Sequence, residues 1–420
     1  MEVMMKKNRA AGLLAVSVLC GVFALTGCGQ SKKEVEFFSS KPENAQILQQ
    51  LVDEFNETSG QEIKVVLNTP ADAGTVLKTR MAKNDIPDII AYGGDNTYTE
   101  LQSAGVLRDL TGAPYLDTIQ DAYMEMVYDV QKDRERVPYA VPYATNASGV
   151  LYNVDKFNEL GLTVPKTWDE FMDVIKKIED AGGTPFEFTF KDAWTLNCPW
   201  NSIAPDLAPE GFTDARLQDQ TTFAETHQEI AEKYLELIKH GQTDIMGTTY
   251  DDGNKAFANG DAYMMINGNW AISQFTTANP DMHVDIFALP ASNDSTVNYV
   301  TSGVDVLLCA SAGSKYPEVV DAFLTFMMDK ENNQKYIDDQ FAFSPIEGVI
   351  QKDEKVSGVM QDIADGKVAN FPDHYYPSGF DLSAVLSEYA ANYVSGMDDA
   401  SNISAFLDNL DTKYDSANIQ

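Results

Sequence analysis

Val35-Glu36-Phe37-Phe38, Ile63-Lys64-Val65-Val66-Leu67 and Pro87-Asp88-Ile89-Ile90-Ala91 are three short apolar runs, and what separates them decides the fold. Between the first two, Ile47, Leu48, Leu51, Val52 and Phe55 recur at the spacing of one helix face, with Pro42 at the entry and Gly60 at the end. A second helix is predicted near residues 74–83. Strand-helix-strand-helix-strand alternation predicts a parallel sheet covered by helices. In such sheets ligands sit at the carboxyl ends of strands. That marks two loops, Ser39-Ser40-Lys41 and Tyr92-Gly93-Gly94-Asp95-Asn96.

Further along, Pro165-Lys166-Thr167-Trp168-Asp169-Glu170-Phe171 reads as a helix entry. Thr167 is placed to cap, the two acids suit the first turn, and Phe171, Ile175 and Ile178 face inward. A helix from Asp251 to Asn259 leads into the strand Ala262-Tyr263-Met264-Met265-Ile266 and the tight Asn267-Gly268-Asn269-Trp270. Val304-Asp305-Val306-Leu307-Leu308-Cys309-Ala310 reads as a buried strand. Helices over residues 317–329 and in the last forty residues complete the chain. Cys309 in that strand, and Cys198, would be able to pair in an oxidising compartment, and two buried free thiols are the preferred expectation. No Cys-x-x-Cys or His-x-x-x-His spacing supports a zinc site.

At the other end, Lys6, Lys7 and Arg9 precede an uncharged stretch that ends in Leu25-Thr26-Gly27-Cys28. A basic start, an apolar middle and small residues at the cut describe a secretory signal peptide over residues 1–27. Its last four residues resemble the lipobox of bacterial lipoproteins, which implies cleavage before Cys28 and lipid on its sulfur. Residues 28–33 then form a tether at the outer face of the cell membrane. About 390 residues follow, more than one core usually organises, so two lobes are expected. The composition, 44% apolar and 10% aromatic, is that of a folded protein. Formal charge is −34, and −36 once residues 1–27 with three basic and one acidic side chain are gone. Clustered Lys and Arg are what phosphate binding needs, so nucleic acid is excluded as a partner.

Several segments, taken in order, resemble the extracellular solute-binding proteins of ABC importers, in the sugar-binding branch that includes maltose-binding protein. They are Pro87 to Tyr92 with Asp95, Pro142-Tyr143-Ala144 through Leu151-Tyr152-Asn153, Pro165 to Phe171, Gly260 to Met264 with Gly268-x-Trp270, Ser314-Lys315-x-Pro317-Glu318, and Ser344-Pro345-Ile346. The resemblance implies an α/β, two-lobed periplasmic-binding-protein fold of type II, with a hinge between lobes. Chain crossings would fall near residues 142–147, 297–303 and 327–331. One lobe would then be 34–143 plus 302–328, the other 146–297 plus 330–420. It also implies a monomer that captures a mono- or oligosaccharide and passes it to permease subunits, with no catalysis and no cofactor.

A sugar offers hydroxyls and apolar C–H faces, so carboxylates, amides and aromatic rings are the side chains to look for. Asp95, in a glycine-flanked loop past a strand end, is the candidate acceptor, and the resemblance gives an acid there contact with sugar hydroxyls. By the same resemblance Tyr92 faces the sugar, Asn146 reaches it from a crossing, and Trp270 and Trp194 stack on its rings. Ser39, Ser40 and Lys41 follow the first strand and are placed to touch hydroxyls. Gly303 permits close backbone approach. Tyr375-Tyr376 reads as cleft wall or packed loop rather than as an iron site. Two other readings use the same residues. Acids and rings also suit a polyamine or other small cation, and paired carboxylates would serve a lipoprotein glycoside hydrolase.

Overall fold

The computed structural model describes residues 33–70, 72–94, 96–131, 135–377 and 379–418. The signal peptide, Cys28, the tether up to residue 32 and Asp95 lie outside the described residues. The first sheet contains β1 (Glu34–Ser39), β2 (Lys64–Asn68), β3 (Ile89–Tyr92), β4 (Ala140–Thr145) and β9 (Val304–Ala310), in the order β2-β1-β3-β9-β4. β1 runs parallel to β2 and β3, as the alternation predicts, while β9 is antiparallel to β3 and β4. Neighbouring residues of these strands enter opposite cores. Phe37, Ile89 and Leu308 pack on one face with Phe55 and Phe323, and Phe38, Ile90 and Leu307 on the other with Leu77 and Leu101. Burial on both faces explains why the strands read as continuous apolar runs.

The second sheet is built from β5 (Ser148–Asn153), β6 (Met264–Gly268), β7 (Val284–Phe287), β8 (Val300–Thr301) and β10 (Val368–Ala369). Its order is β10-β8-β5-β6, with β7 also paired to β5. The same two-faced burial recurs. Val150, Met264 and Phe287 enter a core with Trp200 and Tyr234, and Leu151, Met265 and Ile286 enter another with Phe257 and Phe275. The molecule is thus mixed α/β with two sheets. Thr167 caps the helix Trp168–Asp180 by accepting from the Glu170 N–H, and Phe171, Ile175 and Ile178 are buried beneath it. Cys198 and Cys309 are free and buried. Burial pushes the Cys309 thiol up to about 12, so neither it nor Cys198, which is also raised, forms a thiolate at neutral pH.

Two expectations are corrected. The first helix starts at Ala45, not Pro42, because residues 41–44 form a turn whose Asn44 side chain is engaged elsewhere. The third crossing does not fall near residues 327–331. The helix Lys330–Gln340 stays with the first sheet, where Tyr336, Ile337, Ala342, Ile346 and Val349 share its core. Asn333 pins that helix by donating to the Tyr143 carbonyl at 2.9 Å. Phe341 and Phe343, just past that helix, already reach the second sheet's core, and the helical turn Glu354–Val356, whose Val356 packs with Ile286, lies within it.

Candidate functional site

The chain passes from the first sheet to the second between β4 and β5, and back between β8 and β9. Three expected residues meet there. Asn146 donates from its backbone to the Gly303 carbonyl at 3.2 Å, while its side-chain oxygen accepts from the Gly303 N–H at 3.0 Å. Its amide nitrogen donates to Asp305 Oδ1 at 3.1 Å, and the Lys41 ammonium reaches the same oxygen at 2.5 Å. Glu43 lies 4.0 Å from that ammonium. Lys41, which extends from the end of β1, also stands over the Trp270 ring, 6.0 Å from its centroid. A cation of the first-sheet side thus faces an indole of the second.

The indole is held by its neighbours in sequence. A side chain at Gly268 would place its Cβ 2.1 to 2.4 Å from three atoms of the Trp270 ring, so the ring lies flat against a bare backbone. Asn269 accepts from the Ala147 N–H at 2.7 Å and donates to the Phe341 carbonyl at 3.0 Å. Trp270 Nε1 is buried without a partner among the described residues, a donor still to be used.

Other expected residues divide. Ser40 is partly exposed and ties the two strand-end loops together through its N–H and the Ala91 carbonyl, 3.1 Å away. Ser39 turns inward: it is buried and donates to Asn44, which donates to Tyr336. Tyr92 packs at the edge of the first sheet's core. Trp194 is 43% exposed and meets Tyr250 edge-on at 4.9 Å, apart from the Asn146 network. Of the tyrosine pair, Tyr375 leaves the second-sheet side to pack against the first sheet's core, and Asn370 donates to its hydroxyl at 2.6 Å. Tyr376 enters the core beside Trp200 instead, so the two phenols are not presented together.

Two participants went unread in the sequence. Asp305 passed as part of an apolar strand, although a lone acid in such a run was the available signal. Tyr250 looked like any tyrosine at a helix start. Burial first, then the charge of Glu43, hold the pKa of its buried hydroxyl well above the usual range.

A model of the bacterial extracellular solute-binding protein family matches residues 39–334. The chain belongs to that family. It is 32% identical over 354 residues to the multiple sugar-binding protein of Streptococcus mutans, covering 80% of this chain and 82% of the relative. The solute-binding protein RafE in complex with raffinose superposes with a TM-score of 0.76 at 29% identity, over 91% of this chain and 99% of that one. A chitin oligosaccharide binding protein, 20% identical, matches with a TM-score of 0.76 over 92% and 99% of the two chains and so shares the fold. Members of this family act outside the membrane. No helix among the described residues of this solute-binding protein is long and apolar enough to cross one.

Proposed function

We propose that this solute-binding protein captures a mono- or oligosaccharide between its two sheet-bearing halves and delivers it to the permease of an ABC importer. The observation that carries the reading is the meeting of Lys41 and Trp270 across the halves, over a network of Asp305, Asn146 and Gly303. An indole face covers sugar C–H groups, and a carboxylate fixed by a cation and an amide accepts from hydroxyls. The names of relatives that bind multiple sugars and raffinose support the same class. Asp95, Tyr92, Ser40 and the Trp194–Tyr250 pair complete the proposed site, and Ser39 serves it from behind by orienting Asn44. The halves are read as 34–143 plus 302–349, and 146–297 plus 353–420. We read the chain as a monomer that binds without catalysis.

Calorimetry with a saccharide panel on protein lacking residues 1–28 tests this, with heat expected for at least one sugar. No heat with any saccharide, beside binding of spermidine, would overturn it. The tether is tested separately: Cys28→Ala should move the protein out of the membrane fraction, and an unchanged fraction refutes lipid anchoring at Cys28.

A further inference from the structure

Residues 186–190 send their side chains to two sides. Phe186, Phe188 and Phe190 enter the core around Trp200, while Glu187 and Thr189 turn toward the helix Tyr250–Ala258. That helix comes close at Gly253, where a Cβ would stand 2.3 Å from Thr189 Cγ2 and 3.5 Å from Glu187 Cγ. Glu187 is thereby shut in, 5% exposed, beneath a helix whose first residue is Tyr250. The same stretch of chain holds both rings of the aromatic pair in the proposed site. Asp192 accepts from the Tyr250 N–H at 2.6 Å, and Trp194 meets the Tyr250 ring edge-on. What seats this helix therefore also seats the pair.

Among the described residues, the charge that acts on Glu187 is that of Asp261, just past the end of the same helix, and it repels a carboxylate. Asp251, Asp252 and Lys255 of the helix and Lys191 of the underlying segment are exposed, and Asp192 is engaged with Tyr250. Burial first, then Asp261, push the pKa of Glu187 up to about 7. The neutral acid suits a closed seat. A carboxylate there must draw in water or lift the helix, because a buried unpaired charge is costly. The folded chain thus keeps a proton that an ordinary glutamate releases near about pH 4.3. Between that value and about 7 the unfolded state binds fewer protons, so the seat weakens as pH rises.

We propose that Glu187 is a proton-operated seat for the helix Tyr250–Ala258, positioning Tyr250 and Trp194 for the ligand while neutral and loosening them when it ionises. The ligand in that statement rests on the saccharide reading above. Hydrogen exchange on protein lacking residues 1–28 tests the seat with no ligand present. Amides of residues 254–258, corrected for intrinsic rate, should lose about three-fold or more of their protection from pH 6 to pH 8, relative to the helix Ala45–Thr58. Glu187→Gln keeps the neutral shape at every pH and should remove that loss. Asp261→Asn, at an exposed position, should move the midpoint of the loss to lower pH, and it guards against misfolding of the first variant. Calorimetry with a saccharide that binds should show wild-type affinity falling about three- to ten-fold over the same interval, since only the seated fraction is competent. Glu187→Gln should hold its affinity level. Equal wild-type protection at the two pH values, or the same loss in Glu187→Gln, overturns the seat and leaves the saccharide reading standing. Lost protection beside level wild-type affinity overturns the hold on the aromatic pair. Heat with spermidine and none with any saccharide removes the saccharide reading, while exchange still decides the seat.

Discussion

Trp270 owes its orientation to the absence of a side chain at residue 268, where even a methyl group would overlap the ring. Trp270→Ala should cost roughly 1–3 kcal/mol of saccharide binding, by removing one apolar face. Because the indole is only partly buried, the melting temperature should change little. Undiminished calorimetric affinity would take Trp270 out of the site. Asp206 offers a test of a different kind. One of its oxygens accepts from the Tyr299 N–H at 2.9 Å, and burial raises its pKa to about 8. The native state thus keeps a proton that the unfolded chain, with an ordinary pKa near 4, releases. Between those two values stability falls as pH rises, since the unfolded state binds fewer protons there. Asp206→Asn keeps an acceptor and abolishes the ionisation, so its urea midpoint should decline less between pH 5.5 and 8 than that of the wild type. Equal slopes would show that Asp206 ionises in the native state with an ordinary pKa.

Among the elements, the C-terminal helix Asp399–Ala417 is held by one buried cation. Arg216, 2% exposed, pairs with Asp415, lies 3.4 Å from Asp411 and stacks on Tyr414 at 4.4 Å. Asp411 in turn accepts from the N–H groups of Phe223 and Ala224 at 2.7 and 3.0 Å. Arg216→Ala should cost about 3 kcal/mol, because it leaves Asp411 unpaired and uncovers Tyr414. A urea midpoint within error of the wild type would refute the clamp. Elements of this molecule were legible in sequence where one face or two faces are apolar. β1 to β3 and the Thr167-capped helix follow from spacing alone. The sheet that the helix Lys330–Gln340 serves could not be read from its own residues, because its buried face is largely Asn332, Asn333, Tyr336 and Gln340. Those side chains carry no apolar period, and the packing of Tyr336 and Ile337 and the bond from Asn333 to Tyr143 say which sheet they serve. Of the proposed site, only the placement of Trp270 and Lys41 at strand ends was legible in the sequence. The positions of Asp305 and Tyr250 were not, since they are set by contacts with residues distant in sequence, Lys41 and Asn146 for the one and Trp194 for the other.

For the whole molecule, a charge near −36 after removal of the leader means self-repulsion that favours the expanded chain. Raising salt from about 10 mM to 150 mM shortens the screening length from about 30 to 8 Å. The urea midpoint should therefore rise over that range, and a fall would mean that the surface ion pairs outweigh repulsion. The amide of Asn269 carries a mechanical implication. It grips Ala147, between β4 and β5, and Phe341, at the end of the helix Lys330–Gln340, so the neighbouring aromatic plate is bolted beside the crossing. If the jaws swing about the connections between the sheets, the plate moves little, like an anvil, while Lys41 lifts away with its own jaw and strikes again on closing.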